Sequence, residues 1–289
     1  MRLPISIPFQ VFQTCLKALH VLETADHITA FQKNLLQDIQ LGFPQIQDAG
    51  SATHLKILNE WIRLCNSSHH CYSNHTDIPP TRLLEIGDNN SGQIRRREYG
   101  SDYTRSESYI ALSHRWGSPH QHGKFCTYKS NREEFRRGID VFRLPKTFRD
   151  AVYITRGLGL HLLWIDSLCI VQDDQDDWER ESKFMERIFS SAYCTLAASC
   201  ASGTDDGFLK PRPKRRYATM QELEGDAIDY VSEVIDDFYR DVDQSELNQR
   251  GWVLQERALS RRTIFFTETQ SYWECGEGVR CETMTKMKK

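Results

Sequence analysis

The sequence predicts an α/β fold with a doubly wound, mostly parallel sheet, and two observations lead to this prediction. Between residues 109 and 199, apolar segments of strand length alternate with amphipathic segments of helix length, which is the order of parallel strands joined by crossover helices. The segment LLWIDSLCIV (162–171) is apolar at nearly every position. A strand of this composition is typical of a parallel sheet that helices cover on both faces.

Each element of this core has its own signal in the sequence. Apolar residues recur at helical spacing from Phe148 to Leu158 and from Phe184 to Ala192, so each segment predicts one buried helix face. Acidic residues crowd positions 173–177 and predict a turn out of the core, followed by a helix that they cap. The predicted order is strand 109–113, helix 146–157, strand 162–171, helix 178–191 and strand 193–198.

Further elements flank this core. Helical spacing predicts helices over 9–41 and 54–65, and we assign residues 1–75 to an N-terminal helical segment. TRLLEIG and QIRRREY surround the turn residues DNNSG and predict an added β-hairpin. A short helix at 249–258 precedes a second hairpin with strands TIFF and SYWEC. The acidic segment 222–239 fits either a strand pair or an insertion.

The composition excludes several classes of protein. A net charge of −3 gives no reason to expect nucleic-acid binding. No apolar run reaches the roughly 18 residues of a membrane span, and two prolines interrupt the N-terminal stretch where a signal peptide needs an unbroken apolar run. Nine scattered cysteines indicate reduced thiols rather than a disulfide framework. We therefore expect a cytoplasmic protein that makes no membrane contact.

One segment carries residue types that bind metals, namely Cys65, His69, His70, Cys71 and His75. Their spacing, C-x3-H-H-C-x3-H, lacks the paired C-x2–4-C knuckle of common zinc modules. The better interpretation is an exposed loop after a helix. We therefore expect no metal at this segment or elsewhere.

The loop SHRWG directly follows the predicted strand 109–113 and carries Ser113, Arg115, Trp116 and Gly117. Loops at strand ends often hold ligands, so these polar groups and the flat indole fit one wall of a ligand crevice. The same residues also fit a capped turn with Trp116 packed beneath it. The stretch by itself leaves both interpretations open.

Asp166 and Ser167 interrupt the apolar strand predicted at 162–171. A buried carboxylate must be paired or hydrogen-bonded, so Asp166 is either a structural hub or a residue of a ligand site. We favour the ligand site, because ligands of open α/β sheets bind beyond the carboxyl ends of the strands. Cys169 lies in the same apolar segment and is interpreted as an inert, packed thiol.

Several of these stretches together resemble the fungal HET (heterokaryon incompatibility) domain. Their order and spacing are intact, which makes the resemblance specific, and it implies a HET domain over residues 80–280. At His114 the sequence departs from many HET domains, which have Tyr or another aromatic residue there. The matching stretches are PTRLLEIG (80–87), YIALSHRWG (109–117), LPKTF to TLAAS (144–199), DGFLKPR (206–212) and RGWVLQERALSRRTIFF (250–266).

HET domains are distantly similar to TIR (Toll/interleukin-1 receptor) domains, which implies a TIR-like, flavodoxin-like fold. RGWVLQER (250–257) then resembles the short helix of TIR enzymes that carries a tryptophan and, four residues later, the glutamate that cleaves NAD. The resemblance implies that Glu256 is catalytic, that Trp252 is its neighbour, and that NAD is the substrate. The other residues of the implied NAD site are Ser113, Arg115, Trp116, Gly117, Asp166 and Ser167.

The resemblance implies an effector of fungal non-self recognition and cell death that acts as an NAD glycohydrolase. The alternative is a non-catalytic module that self-associates and signals. For both, we expect homo-oligomers on activation and an upstream activating receptor or partner protein. Without the resemblance, Glu256 also fits an exposed helix acid paired with Arg250 or Arg257, and Trp252 also fits a core residue.

Overall fold

The computed structural model describes residues 39–41, 46, 48–69, 71, 80–88, 90–99, 107–118, 125–214, 217–221, 228–233, 236–282 and 286–287. The chain divides into two compact units. The smaller unit comprises Met1–Gln45, Pro213–Asp236 and Glu282–Thr285, and the larger comprises Ile46–Arg212, Asp237–Cys281 and Lys286–Lys289.

The strands and helices are numbered in chain order. The strands are β1 (Ile39–Leu41), β2 (Arg82–Glu85), β3 (Gln93–Glu98), β4 (Ile110–Ser113), β5 (Ile139–Asp140), β6 (Leu162–Trp164), β7 (Cys194–Ala197), β8 (Tyr217–Gln221), β9 (Ile228–Glu233), β10 (Arg262–Phe266), β11 (Ser271–Cys275), β12 (Gly278–Cys281) and β13 (Lys286–Met287). The α-helices are α1 (Ala52–Leu64), α2 (Arg132–Arg137), α3 (Lys146–Gly157), α4 (Asp166–Cys169), α5 (Gln175–Ser191) and α6 (Gly251–Leu259). Short π-helical or 3-10 turns are Cys65–His69, Val141–Arg143 and Tyr239–Asp243.

In the smaller unit, β1, β9 and β8 form an antiparallel sheet in that order. Residues 228–233 of the acidic segment form β9, which pairs with β8. The strand-pair interpretation is therefore right for these residues. Residues 9–38 of the helix predicted over 9–41 lie outside the described residues. Its last three residues are the strand β1, so the predicted end of that helix is wrong.

In the larger unit, a mixed sheet has the strand order β13–β12–β11–β10–β7–β4–β6–β2–β3–β5. The central strands β10, β7, β4 and β6 are parallel neighbours, and antiparallel strands extend the sheet on both sides. This confirms an α/β fold with a parallel centre. The antiparallel flanks include the two predicted hairpins, β2–β3 and β10–β11.

The helices form where the apolar periodicity predicts them. One face of α3 is buried, through Phe148, Ala151 and Val152 among others, and α5 buries Ile188 and Phe189. The acidic run starts α5 as predicted, because the Asp174 side chain accepts a hydrogen bond from the backbone N–H of Asp177. The central strands are buried along their length, so both faces of the sheet are covered there.

The strand predicted over 162–171 is too long, because β6 ends at Trp164 and α4 follows after one residue. Backbone hydrogen bonds from Cys169 to Ile165 and from Ile170 to Asp166 close the helical turns. An apolar run does not distinguish a buried strand from a buried helical turn, which explains the error. Asp166 therefore begins a short helix at the edge of the sheet and does not lie within a strand.

Candidate active site

The carboxyl ends of the parallel strands meet at one edge of the sheet. β4 ends at Ser113, β6 ends two residues before Asp166, and both strands are parallel to neighbours. In open α/β sheets, this edge is where ligands bind. Two candidate residues from different parts of the sequence therefore lie at the same edge.

Helix α6 holds Glu256 against this edge. Val253 anchors the helix in an apolar cluster with Phe265 of β10 and is 2% exposed. At the other end of the helix, the Ser260 hydroxyl donates to the backbone oxygen of Glu256 at 2.8 Å and lies 2.7 Å from the Thr195 hydroxyl on β7. Packing at one end and hydrogen bonding at the other therefore fix the position of Glu256.

Ser113 and Glu256 make direct contact although 143 positions separate them in the sequence. The Ser113 hydroxyl donates a hydrogen bond to Oε2 of Glu256 at 2.5 Å. When Glu256 is ionised, this hydrogen bond is charge-assisted and stabilises the carboxylate. The hydrogen bond holds the carboxyl group directly beyond the end of β4.

Burial raises the pKa of Glu256 from its ordinary value of 4.5 to about 8. The hydrogen bond from Ser113 opposes this rise, the negative charge of Asp166 adds to it, and the positive charge of Arg250 opposes it. A negative charge close to a carboxyl group disfavours its ionised form. Acids with pKa values shifted toward neutrality are typical of functional sites.

The raised pKa predicts a pH-dependent stability that Glu256→Gln removes. A carboxyl group whose pKa rises on folding binds its proton more tightly in the folded protein. Its contribution is fully present below its ordinary value of 4.5 and is lost as the pH rises through about 8. We expect the variant to gain stability relative to wild type between these pH values, measured as the free energy of unfolding in urea. Equal pH dependence in both proteins would contradict the shifted pKa.

Asp166 is the centre of a hydrogen-bonded group. The Trp116 indole N–H donates to its Oδ2 at 2.7 Å, and the backbone N–H of Ser167 donates to its Oδ1 at 2.6 Å. Gly117 has a φ of 94°, in the left-handed region that favours glycine, so the chain turns directly after Trp116. Trp116 is half-buried and bonded to Asp166, as in the capped-turn interpretation of this loop, and the ligand-crevice interpretation stays a prediction.

His114 lies beside this group without hydrogen-bonding to it, and its residue type departs from the family pattern. Its side chain is 1% exposed, and Nδ1 lies 3.8 Å from Oδ1 of Asp166. The ring packs edge-to-face on Phe148 with 5.1 Å between centroids. Burial lowers the pKa of His114, and the Asp166 charge opposes this only in part, so the imidazole is neutral near pH 7. Within the described part of the chain, neither ring nitrogen has a hydrogen-bond partner.

The other predicted site residues divide between this edge and its surroundings. Ser167 is buried, and its hydroxyl also has no hydrogen-bond partner among the described residues. Arg115 points elsewhere, because its guanidinium forms an ion pair with Glu246. Glu246 is 69% exposed and Arg115 is 29% exposed, so exchange of this largely solvated glutamate for an anionic ligand costs little.

Residues 109–256 match the family described as Heterokaryon incompatibility protein (HET). The chain belongs to the HET family. The matched segment begins next to β4 and ends at Glu256, so it contains the whole Ser113, Asp166 and Glu256 arrangement. The match confirms the resemblance inferred from the motifs and supports a role related to heterokaryon incompatibility and cell death. No curated protein and no solved structure matches the chain.

The surroundings of Glu256 in this HET domain differ from those of an exposed helix acid. Arg257 is bound elsewhere, with Nε 3.0 Å from Glu274 and a second contact to Asp243. Arg250 donates to the backbone oxygen of His114 at 3.0 Å. Arg250 thus supports the strand-end loop and places a positive charge near the two carboxyl groups, a role that the sequence did not suggest.

The structure also tests the interpretation of Trp252 as a core residue and of Cys169 as an inert thiol. Trp252 is 57% exposed and is therefore not a core residue, and it lies on α6 one turn before Glu256. Burial raises the pKa of the Cys169 thiol to about 12, so it is protonated and buried, as expected for an inert cysteine.

A cavity of about 560 Å³ lies beyond the ends of β7 and β10. It reaches Glu246, the partner of Arg115, and it contains the basic residues Lys210 and Arg240. Ser199 at its wall is buried, and its hydroxyl has no hydrogen-bond partner in the described chain. Carboxylates line the cavity as well, and both cations are ion-paired, Lys210 with Asp206 and Arg240 with Asp241. Among the described residues, no helix is long and apolar enough to cross a membrane.

Proposed function

We propose that this HET domain cleaves NAD at the bond between nicotinamide and ribose, with Glu256 as the catalytic carboxylate. The observation that carries the proposal is the Ser113–Glu256 hydrogen bond beside Asp166, which holds a carboxyl group of raised pKa at the ligand-binding edge of the sheet. The resemblance of RGWVLQER to the catalytic helix of TIR enzymes supports the same assignment.

Cleavage of this bond requires mainly one negatively charged group in the right position. The pyridinium ring of NAD carries a positive charge, so nicotinamide leaves as a neutral molecule with the electron pair of the broken C–N bond. The ribose becomes oxocarbenium-like, and a carboxylate close to its anomeric carbon stabilises it, as in glycoside hydrolysis. Water then adds to that carbon and gives its proton to Glu256, and ADP-ribose is the product.

The neighbouring side chains have roles that follow from their chemistry. Asp166 accepts hydrogen bonds from ribose hydroxyls and keeps Trp116 in place through the 2.7 Å indole bond. The neutral His114 offers a donor and an acceptor to the same hydroxyls. Arg115 binds the diphosphate once Glu246 is displaced, and Trp116 or the exposed Trp252 stacks on a ring of the ligand.

Removal of the Ser113 hydroxyl is expected to shift the pH dependence of cleavage to higher pH. The Ser113 hydrogen bond favours the ionised form of Glu256, so Ser113→Ala raises the pKa of Glu256 further. We expect cleavage to fall several-fold at about pH 7 and to recover at about pH 9, whereas Ser113→Thr retains the hydroxyl and the wild-type profile. A uniform loss at every pH would assign Ser113 a purely structural role.

The proposal is tested by incubation of the purified protein with NAD and by chromatography of the products. Equal amounts of nicotinamide and ADP-ribose are expected, with a rate per chain that rises with protein concentration if assembly is required. Intact NAD at every protein concentration would contradict the proposal. The proposal rests on cleavage itself and does not depend on the oligomeric state.

A second candidate function is a signalling module that self-associates without catalysis. The observation that favours it is the exposure of Trp252 and Leu254 on α6, at 57% and 66%, since exposed large apolar side chains often mark interfaces. If this candidate is correct, Glu256→Gln still triggers cell death, and a Trp252→Ala/Leu254→Ala variant does not. Catalysis predicts the loss of cell death in Glu256→Gln.

A further inference from the structure

Three cysteines and a histidine that belong to different segments of the chain converge at one point. They are Cys65, His69 and Cys71, near the end of α1, and Cys275, at the end of β11. One sulfur or ring nitrogen from each of the four residues lies within 4.8 Å of the others. All four residues belong to the larger unit.

The spacing of these atoms fits a tetrahedron around one ion. With zinc–sulfur bonds of about 2.3 Å and zinc–nitrogen bonds of about 2.0 Å, a sulfur and a nitrogen of one tetrahedral site lie about 3.5 Å apart. Sγ of Cys275 and Nδ1 of His69 lie 3.5 Å apart. The longest separations in the group need to contract by less than about 1 Å to reach the sulfur–sulfur spacing of such a site.

Three of these ligands, Cys65, His69 and Cys275, come from two elements of the fold. Cys65 ends α1 and begins the π-helical turn Cys65–His69, which places His69 beside it. Cys275 precedes the tight turn between β11 and β12, where the backbone N–H of Glu277 hydrogen-bonds to its sulfur. Such second-shell hydrogen bonds orient metal ligands.

The neighbouring packing brings the two elements together. Trp61 of α1 packs on Trp273 of β11, with 6.5 Å between ring centroids. Gly276 lies next to Cys71, since a Cβ atom added at the glycine would be in van der Waals contact with Sγ of Cys71 at 3.4 Å. Contacts on both sides therefore support the convergence of the four ligands.

The ligand set selects the metal. Three thiolates and one imidazole in tetrahedral spacing are a recurring structural set for zinc, whereas calcium and magnesium prefer oxygen ligands. An iron–sulfur cluster contains its own sulfides and needs ligands farther apart than a single ion does. Zinc with three thiolates carries a net charge of −1, and the buried Arg262 lies close enough to Cys65 to act on it electrostatically.

We propose that Cys65, His69, Cys71 and Cys275 bind one structural zinc ion. The site joins α1 to β11 across 206 positions of sequence between His69 and Cys275, and so constrains a long segment of the chain. His69 and Cys71 are half-buried, and a cavity of about 560 Å³ borders Cys71 and Cys275, which gives the ion a path to the site. This site is independent of NAD cleavage.

The test measures metal in the full chain. Protein purified from zinc-supplemented medium is expected to contain about one zinc ion per chain by mass spectrometry. A Cys65→Ser/Cys275→Ser variant is expected to contain less than about 0.1 zinc ion per chain. A Cys194→Ser/Cys200→Ser variant is the matched control, because neither cysteine belongs to the group, and it should retain zinc. His69→Cys should also retain zinc, since four thiolates are an alternative zinc set.

Cobalt substitution keeps the proposal testable if the double variant does not fold. Wild-type protein titrated with Co²⁺ should show the visible bands of tetrahedral cobalt and thiolate-to-cobalt charge transfer, and His69→Cys should shift the bands toward a four-thiolate spectrum. The proposal is overturned if wild type contains no zinc and gives no tetrahedral cobalt spectrum. It is also overturned by a Cys65–Cys275 disulfide in the isolated protein, or by equal zinc loss in both double variants.

Discussion

Glu256→Gln is expected to reduce the rate of NAD cleavage about a thousand-fold or more while the protein stays folded. The amide has the shape of the acid and can still bond to Ser113, but it cannot carry the negative charge that stabilises the oxocarbenium-like ribose. Removal of one such electrostatic or proton-transfer group typically costs about 100- to 10,000-fold in rate. The effect should fall on kcat, because the charge is needed in the transition state and less in substrate binding.

The control for this substitution is Glu186→Gln, which makes the same change at an exposed position of α5. We expect wild-type kcat in the control and a cooperative unfolding transition in both variants. Turnover above about a tenth of the wild-type rate in Glu256→Gln would remove Glu256 from the mechanism, because no charge-dependent role tolerates the amide that well.

Asp177→Ala is expected to lower the free energy of unfolding by about 3–5 kcal/mol, because it removes the closest ion-pair partner of the buried Arg82 guanidinium and leaves only the longer contacts to Glu98 and Glu181. Asp177 is 4% exposed, and its Oδ2 accepts hydrogen bonds from Nη1 of Arg82 at 2.8 Å and from the Val171 backbone N–H at 2.9 Å. Oδ1 pairs with both Arg82 and Arg180. The carboxylate thus joins β2 to the start of α5.

The matched control is Asp176→Ala, one residue earlier on the same helical turn and exposed. We expect a change of less than about 1 kcal/mol there, because an exposed acid near a helix start contributes little. Chemical denaturation monitored by circular dichroism gives both values. Similar losses in the two variants would show that the buried ion pair does not stabilise this fold.

The same ion pair predicts loss of stability in acid. Burial alone would raise the pKa of Asp177, but the hydrogen bonds from Arg82 and Val171 and the nearby arginine charges outweigh it, so the pKa lies below its ordinary value of 3.8. A depressed pKa contributes stability that is present above 3.8 and is lost as the pH falls through the folded value. The acidic run therefore acts mainly within the chain, as helix cap and ion pair.

Local periodicity was sufficient to predict most of the parallel centre. The helix Lys146–Gly157 matches the predicted 146–157, and the strand Ile110–Ser113 lies within the predicted 109–113. β6 was predicted too long because the residues after Trp164 are buried in a helical turn, where they need the same apolar character as in a strand. The hairpins β2–β3 and β10–β11 also follow from local turn signals, whereas the antiparallel pairs β2–β6 and β3–β5 depend on contacts that no local pattern specifies.

Prediction of the candidate site was limited by distance along the chain. The local motifs were sufficient to select Ser113, Asp166 and Glu256 one by one. The hydrogen bond between Ser113 and Glu256 could not be predicted, because 143 positions separate the two residues. The positions of His114 and Arg250 follow from the same long-range packing. Cys65, His69 and Cys71 were considered as zinc ligands from their spacing and no metal was expected, because Cys275, the fourth member of the group, lies on a strand that the local spacing does not include.

The pH dependence of kcat/KM for NAD cleavage by the wild-type protein tests the central claim most directly, because this quantity reports the ionisation of the free enzyme. Nicotinamide release is measured at high protein concentration between about pH 5 and about pH 9. We predict a rate that rises with pH and levels off above about 8, where Glu256 becomes ionised. Cleavage that does not vary over this range, or the absence of cleavage throughout it, would contradict the assignment of Glu256 as the catalytic carboxylate.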